Sequence, residues 1–271
     1  VATGKTLEVL ERLLHPIDKQ SFYTLYGIST RQPWLERKQN QLVELWNLCD
    51  TTEQRDVVLG LLERFRYLSG ADIDEACQAI STIVKNDWKC GPQNTLLAAV
   101  ASDTQPDGSQ SILQCLKNHL IDADGWKTNR FFSQLTQALD NCKAGSNLIL
   151  VEDFVGSGDK VSEAVDQAQV ILLGKGIGGV AIHSVTVAAM KESKAVFDGL
   201  KIPYHCVHWL DKGISDYHVG AQLAAALGAV KELSAKLSNK HNGQFLNPLG
   251  YKKSESIVWR CTGFCVNGFS V

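Results

Sequence analysis

From about Asn94 onward, short apolar runs alternate with amphipathic stretches, and this alternation constrains the fold more than any other feature of the chain. The runs Thr95 to Ala101, Asn147 to Glu152, Gly179 to Ala188 and Tyr204 to Trp209 have the length and composition of strands. Helical patterns lie at about 110–121, 128–141, 160–174, 190–200 and 219–238. Strands separated by helices of this length pair in parallel by crossover, and a parallel sheet needs helices on both faces. The expectation is an α/β domain over residues 93–238, built on a mostly parallel sheet flanked by helices.

The region before it, residues 1–92, reads as helical. Leu7, Leu10, Leu13 and Leu14 share one helix face, and Val58, Leu61, Leu62, Phe65 and Leu68 share another. Gly70 is the expected end of the second helix, and Asp72 with Glu75 has the spacing of a capping box for the next. Residues 239–271 carry Gly, Asn and Ser punctuation around Ser256 to Arg260. They are expected to pack on the α/β domain as an extension, as a hairpin or as a cap on the sheet edge.

The chain has 271 residues, 44% of them hydrophobic, which is enough for a substantial core. Its formal net charge of -2, with no block of Lys or Arg, argues against a dedicated nucleic-acid surface. No run approaches the roughly 20 apolar residues that span a bilayer, so the expected setting is the cytoplasm with no membrane partner. Eight cysteines are scattered without the spacing of a disulfide scaffold and are expected to be mostly reduced core thiols.

The segment Leu148 to Lys160, LILVEDFVGSGDK, carries the chemistry. An apolar run passes into two carboxylates, then a loop with two glycines, then a helical pattern near Val161. Open parallel sheets bind ligands at the carboxyl ends of their strands, where Glu152 and Asp153 would stand. Adjacent strand residues point opposite ways, so one acid would face the ligand and the other would orient a loop, a water or a metal ion. Gly156 and Gly158 allow the backbone to curl its N–H groups around an anion, Ser157 adds a hydroxyl, and Asp159 is the candidate N-cap. Acids that accept from hydroxyls beside a loop that cradles phosphate suit a ribose 5-phosphate.

At these residues the chain resembles the type I phosphoribosyltransferases, whose signature is a hydrophobic strand, two acids, four loop residues, Gly, any residue and Thr. The resemblance implies that Glu152 and Asp153 hold the ribose hydroxyls of phosphoribosyl pyrophosphate, as the catalytic pair. Val155, Gly156, Ser157, Gly158, Asp159 and Lys160 would then bind its 5-phosphate. It also implies a phosphoribosyltransferase-like, Rossmann-like fold and Mg2+ carried with the pyrophosphate. Two positions depart from the pattern: Lys160 stands where the family has Thr, and Gly156 stands where purine-salvage members have a base-contacting Asp.

The order of RDVVLGLLERFRYLS, TLLAAVASDTQPDGSQSILQCLK, EDFVGSG and LDKGISD resembles phosphoribosyltransferase-like effector domains of bacterial conflict systems, some of them retron-associated. That branch implies a toxic effector in antiphage defence, regulated by a reverse transcriptase with its RNA-DNA product. A homo-oligomer is left open.

Other constellations have two readings. The loop after Ala101 would be a pyrophosphate or magnesium loop by resemblance, through Ser102, Asp103, Asp107 and Ser109 with Lys117 nearby; as plain chemistry it is a solvated turn capping the next helix. Lys212, after the strand ending at Trp209, is a phosphate or base contact or a surface turn. His205, Cys206 and His208, with Cys261 and Cys265, lack the paired knuckles of a zinc site, and no direct side-chain metal ligand is assigned. Gly4-Lys5-Thr6 lacks the upstream Gly of a P-loop, and the six tryptophans are expected in cores. The sequence therefore supports a pentosyltransferase first. A catalytically weak nucleotide-sensing module and a housekeeping salvage enzyme are the alternatives.

Overall fold

The computed structural model describes residues 17–101, 107–121, 125–238, 240–241 and 244–260. In chain order its helices are α1 Lys19–Arg31, α2 Gln39–Leu48, α3 Thr52–Arg64, α4 Gly70–Thr82, α5 Gly108–Ile121, α6 Leu135–Asn141, α7 Asp159–Gly174, α8 Lys194–Leu200 and α9 Gly220–Lys236. The strands of the main sheet are β1 Thr95–Ala99, β2 Phe131–Phe132, β3 Asn147–Val155, β4 Ala181–Met190 and β5 Tyr204–Leu210. By packing, the chain divides into one unit of residues 1–67, 212–257 and 270–271, and another of residues 68–211 and 258–269.

In the first unit, α1 and α3 begin where short polar side chains satisfy exposed amides: Asp18 accepts from the Ser21 N–H at 2.9 Å and Thr51 from the Gln54 N–H at 3.2 Å. Leu25, Ile28, Leu35, Leu42 and Trp46 form one core, and Val57, Ile214, Ala226, Ala229 and Val230 form a second between α3 and α9. The expected helix through Leu7 to Leu14 and the Gly4-Lys5-Thr6 run lie outside the described residues.

The second unit is an α/β sheet of five strands in the order β2-β1-β3-β4-β5, every neighbouring pair parallel. Leu148, Ile149, Leu150 and Val151 of the central strand β3 are fully buried, each worth roughly 1.5–3 kcal/mol of apolar transfer. Their alternation divides the core. Ile149 and Val151 face α4 and α5 with Ile80, Ile112 and Leu116, whereas Leu148 and Leu150 face α6 and α7 with Leu139, Val161 and Val165. The strand order reverses between β1 and β3, and their following helices α5 and α7 lie on opposite faces. A crevice is therefore expected at the carboxyl ends of these two strands.

Several boundaries differ from expectation for identifiable reasons. The expected helix over 128–141 is a short 3-10 turn at Thr128–Arg130, then β2, then α6, because Phe131 and Phe132 pair with Leu97 and Ala98 at the sheet edge. β3 runs past Glu152 to Val155 because Phe154 and Val155 find partners in Ala188 and Ala189 of β4, which itself extends to Met190. The helix after the Val58–Phe65 pattern starts at Gly70 rather than following a helix that ends there. Ser69 is its N-cap and Asp72 closes the capping box, so the pair is Ser69 with Asp72, not Asp72 with Glu75. This helix packs against α5 through Ile73, Ala76 and Ile80. Lys240–His241 pairs antiparallel with Gln244–Phe245 as a short hairpin. Among the described residues no helix is long and apolar enough to cross a membrane.

Candidate functional site

Three and two residues before its end, β3 carries Glu152 and Asp153, exposed by only 2% and 5%. Carboxylates taken out of water must be compensated. Glu152 is compensated on the α7 side: its Oε2 lies 2.8 Å from the Lys160 ammonium as an ion pair, and its Oε1 accepts from the Asp153 N–H at 3.0 Å. Asp153 faces the start of α5, where a Cβ on Gly108 would lie 2.2 Å from its Oδ2. Only glycine lets the helix begin so close to that carboxylate.

Asp107, just before α5, completes the arrangement. Its Oδ1 accepts from the Ser109 N–H at 2.9 Å and its Oδ2 lies 2.8 Å from Lys160 Nζ. Lys160 thus ties the loop before α5 to the first turn of α7 and to the acidic strand between them. Burial, then the neighbouring Asp153 charge, raises the Glu152 carboxyl well above the ordinary range, with Lys160 pulling the other way. Burial also works against the Asp107 carboxylate, yet the Lys160 ammonium and the Ser109 amide outweigh it and hold that group low. Burial would lower the Lys160 pKa, but the Glu152 charge and the Asp107 contact hold it above its ordinary value.

The loop after β3 turns on Gly158, whose φ of +89° is left-handed backbone. Its missing side chain also leaves room for Val196, which an added Cβ would meet at 3.0 Å. Gly158 is the N-cap of α7, with no side chain capping the helix, and Asp159 is the first helical residue rather than the cap. The Ser157 hydroxyl donates to Asp159 Oδ2 at 2.8 Å. A helix amino end without a side-chain cap presents N–H groups and a positive dipole end to an anion.

One oxygen each from Asp107, Glu152 and Asp153 falls within 4.8 Å of the others. Hard oxygen donors of this kind fit Mg2+. Lys160 reaches two of the same three carboxylates and competes for that negative charge. A hollow lined by Leu172, Ile177, Ala181 and Pro203 lies at the amino ends of the strands, away from the acids.

Of the residues expected at this site, Asp107, Ser109, Glu152, Asp153, Val155, Gly156, Ser157, Gly158, Asp159 and Lys160 belong to the loops and strand just described. Ser102 and Asp103 lie outside the described residues. Ser109 is fully buried and its hydroxyl has no hydrogen-bond partner among the described residues. Lys117 is nine residues along α5 from Gly108, about 14 Å from its start. Lys212 belongs to the other unit, where its N–H donates to Asp216 Oδ2 at 2.7 Å. His205, Cys206 and His208 form no metal-ligand group among the described residues, and Cys261 and Cys265 lie outside them. Gly108 went unnoticed in the sequence, where nothing but its place after a polar loop marks it.

The PRTase-CE family matches residues 46–262, most of the chain. The chain belongs to that family. The fold is phosphoribosyltransferase-like accordingly, with a parallel five-stranded sheet between helices. No curated protein matches the chain. Among solved structures, a Neisseria gonorrhoeae protein with bound ppGpp is similar at a TM-score of 0.37 and 12% identity, over 54% of this chain and 85% of that one. The hypoxanthine-guanine phosphoribosyltransferase of Schistosoma mansoni in complex with IMP is similar at 0.33 and 14%, over 51% and 64%. The protein TT1426 of Thermus thermophilus is similar at 0.31 and 10%, over 59% and 89%. Likenesses this weak carry no argument about ligand or activity.

Proposed function

We propose that this PRTase-CE chain binds phosphoribosyl pyrophosphate, or a related ribose-phosphate nucleotide, at the carboxyl ends of β1 and β3. The observation that carries the reading is the buried Glu152-Asp153 pair followed at once by a loop that opens α7 on a left-handed glycine. The acids accept from ribose hydroxyls. The 155–160 loop and the amino end of α7 take the 5-phosphate, and Asp107, Glu152 and Asp153 offer oxygens to Mg2+ arriving with the substrate. The reaction that fits is pentosyl transfer. A nucleophile bonds to the anomeric carbon while the bond from that carbon to pyrophosphate breaks, through a transition state with oxocarbenium character. The site holds the ribose in place, and negative charge on its carboxylates favours a carbon that turns positive.

A second reading, ligand binding without turnover, is favoured by Lys160. Its ammonium is already engaged with Glu152 and Asp107, so a ribose hydroxyl must share or displace that contact. Incubating the protein with Mg2+, phosphoribosyl pyrophosphate and cell extract while following pyrophosphate release separates the two. Release above that of a Glu152→Ala, Asp153→Ala double variant supports transfer; equal release with ligand binding retained supports the sensing module. The defence role and a reverse transcriptase with its RNA-DNA product as regulator rest on sequence resemblance alone. Co-expression tests them: toxicity that the reverse transcriptase relieves is expected, and harmless overexpression of the chain contradicts the role.

A further inference from the structure

A second cluster of metal-capable side chains lies between α4 and α5, apart from the acidic strand. Cys115 and His119 are four residues apart on α5 and so share a face. Facing them on α4, Asp74 Oδ1 lies 2.8 Å from His119 Nε2 and 3.8 Å from Cys115 Sγ. One donor atom from each of the three falls within 4.8 Å of the others. Cys77, three residues after Asp74, is fully buried and stands outside this group, its Sγ donating to the Ile112 carbonyl of α5 at 3.9 Å. The two helices are held together by Ile73, Ala76, Ile80, Ile112 and Leu116. The donors thus stand on rigid, packed elements rather than on loops.

We propose that Asp74, Cys115 and His119 form a zinc site that ties α4 to α5, with a water completing the tetrahedron. A thiol, an imidazole and a carboxylate are a donor set for zinc, since magnesium and calcium take oxygen alone. Bonds of about 2.0–2.3 Å at tetrahedral angles place neighbouring donors roughly 3.3–3.8 Å apart. The Cys115–Asp74 separation already has this value, and the shorter His119–Asp74 hydrogen bond opens slightly as zinc takes the place of its proton. The Cys115 S–H bond breaks as its proton leaves for solvent, and the electron pair left on sulfur forms the S–Zn bond, so binding releases a proton without any redox change. Asp74 is exposed and Cys115 half-buried, which gives the ion an entry path. Because α5 starts at Gly108, beneath Asp153, a clamp on this helix steadies one wall of the ribose-phosphate site without taking part in it.

Cobalt(II) added to the reduced full-length protein is the probe. The expected result is one equivalent bound, with thiolate-to-cobalt charge-transfer absorption and the intense visible bands of a tetrahedral ion, both removed by zinc. His119→Gln and Cys115→Ser should each weaken binding by more than the roughly 10–100-fold that an outer hydrogen-bonding partner costs, and Cys115→Ser should abolish the charge-transfer band. Cys142→Ser, at a buried thiol on the other face of the sheet, should leave the spectrum as it is. If Cys115→Ser does not fold, His119→Gln carries the test, because that side chain is partly exposed. Absence of the charge-transfer band in fully reduced protein, or a spectrum unchanged by His119→Gln, overturns the proposal.

Discussion

The sheet unit contains two polar clusters, and they are built on opposite terms. At the carboxyl end of β3, three carboxylates lie together and a lysine ammonium pairs with two of them, Asp107 and Glu152, so negative charge is partly compensated before any ligand arrives. Between α4 and α5, a carboxylate, an imidazole and a thiol meet in a cluster whose sulfur gains charge only by giving up its proton. The first arrangement suits a ligand that brings hydroxyls, phosphate and its own divalent ion. The second suits a bare, softer ion. Physical independence of the two clusters is therefore the point to attack.

Gly108→Ala should have the largest effect and should fall on the first cluster. The new Cβ would occupy space 2.2 Å from Asp153 Oδ2, and overpacking of this kind costs about 1–3 kcal/mol. Chemical denaturation should show that loss together with loss of ribose-phosphate binding. A change within about 0.5 kcal/mol, the range of ordinary surface substitutions, would contradict the close approach. Gly158→Ala comes next: at φ +89° and against Val196, a left-handed alanine costs about 1–2 kcal/mol. Phosphate affinity should fall with it in a calorimetric titration, while cobalt binding between α4 and α5 stays. Ser69→Ala acts on the other side of the comparison. It removes the capping box of α4 at about 1 kcal/mol, and should loosen cobalt more than it loosens ribose phosphate.

The smallest effect is a pH slope. The Glu152 carboxyl is held above its ordinary value, so the folded chain binds that proton more tightly than the unfolded chain does. That contribution is full below the ordinary glutamate range and is lost as pH rises through the folded value. Asp107, held low, contributes in the opposite sense: its share is present above the ordinary aspartate range and is lost on acidification. In Glu152→Gln the decline with rising pH should vanish while the acid-side loss remains. Urea midpoints measured across pH will show either that change or an unaltered profile, which would contradict the assignment.

The first cluster was legible in the sequence because most of it is contiguous. Strand, acids, glycine loop and helix succeed one another from Leu148 to Lys160, and local rules suffice to read them. The parallel sheet was legible for the same reason: period and run length are local. The role of Lys160 was not, since its partners Glu152 and Asp107 are joined only by the crossing of two loops at the sheet edge. Phe131 and Phe132 were read into a helix because a two-residue edge strand is too short to leave a period. The cluster of Asp74, Cys115 and His119 was invisible for a related reason. Helix α5 carries an ordinary pair at helical spacing, and only the packing of α4 on α5 brings Asp74 to it.

Binding of phosphoribosyl pyrophosphate to the acidic strand and its loop is the central claim, and isothermal titration with the magnesium complex of that ligand tests it most directly. The account predicts saturable binding at one site per chain, lost in a Glu152→Gln, Asp153→Asn variant whose unfolding remains cooperative. Binding that is absent from the unaltered chain, or that survives undiminished in the folded double variant, would contradict it.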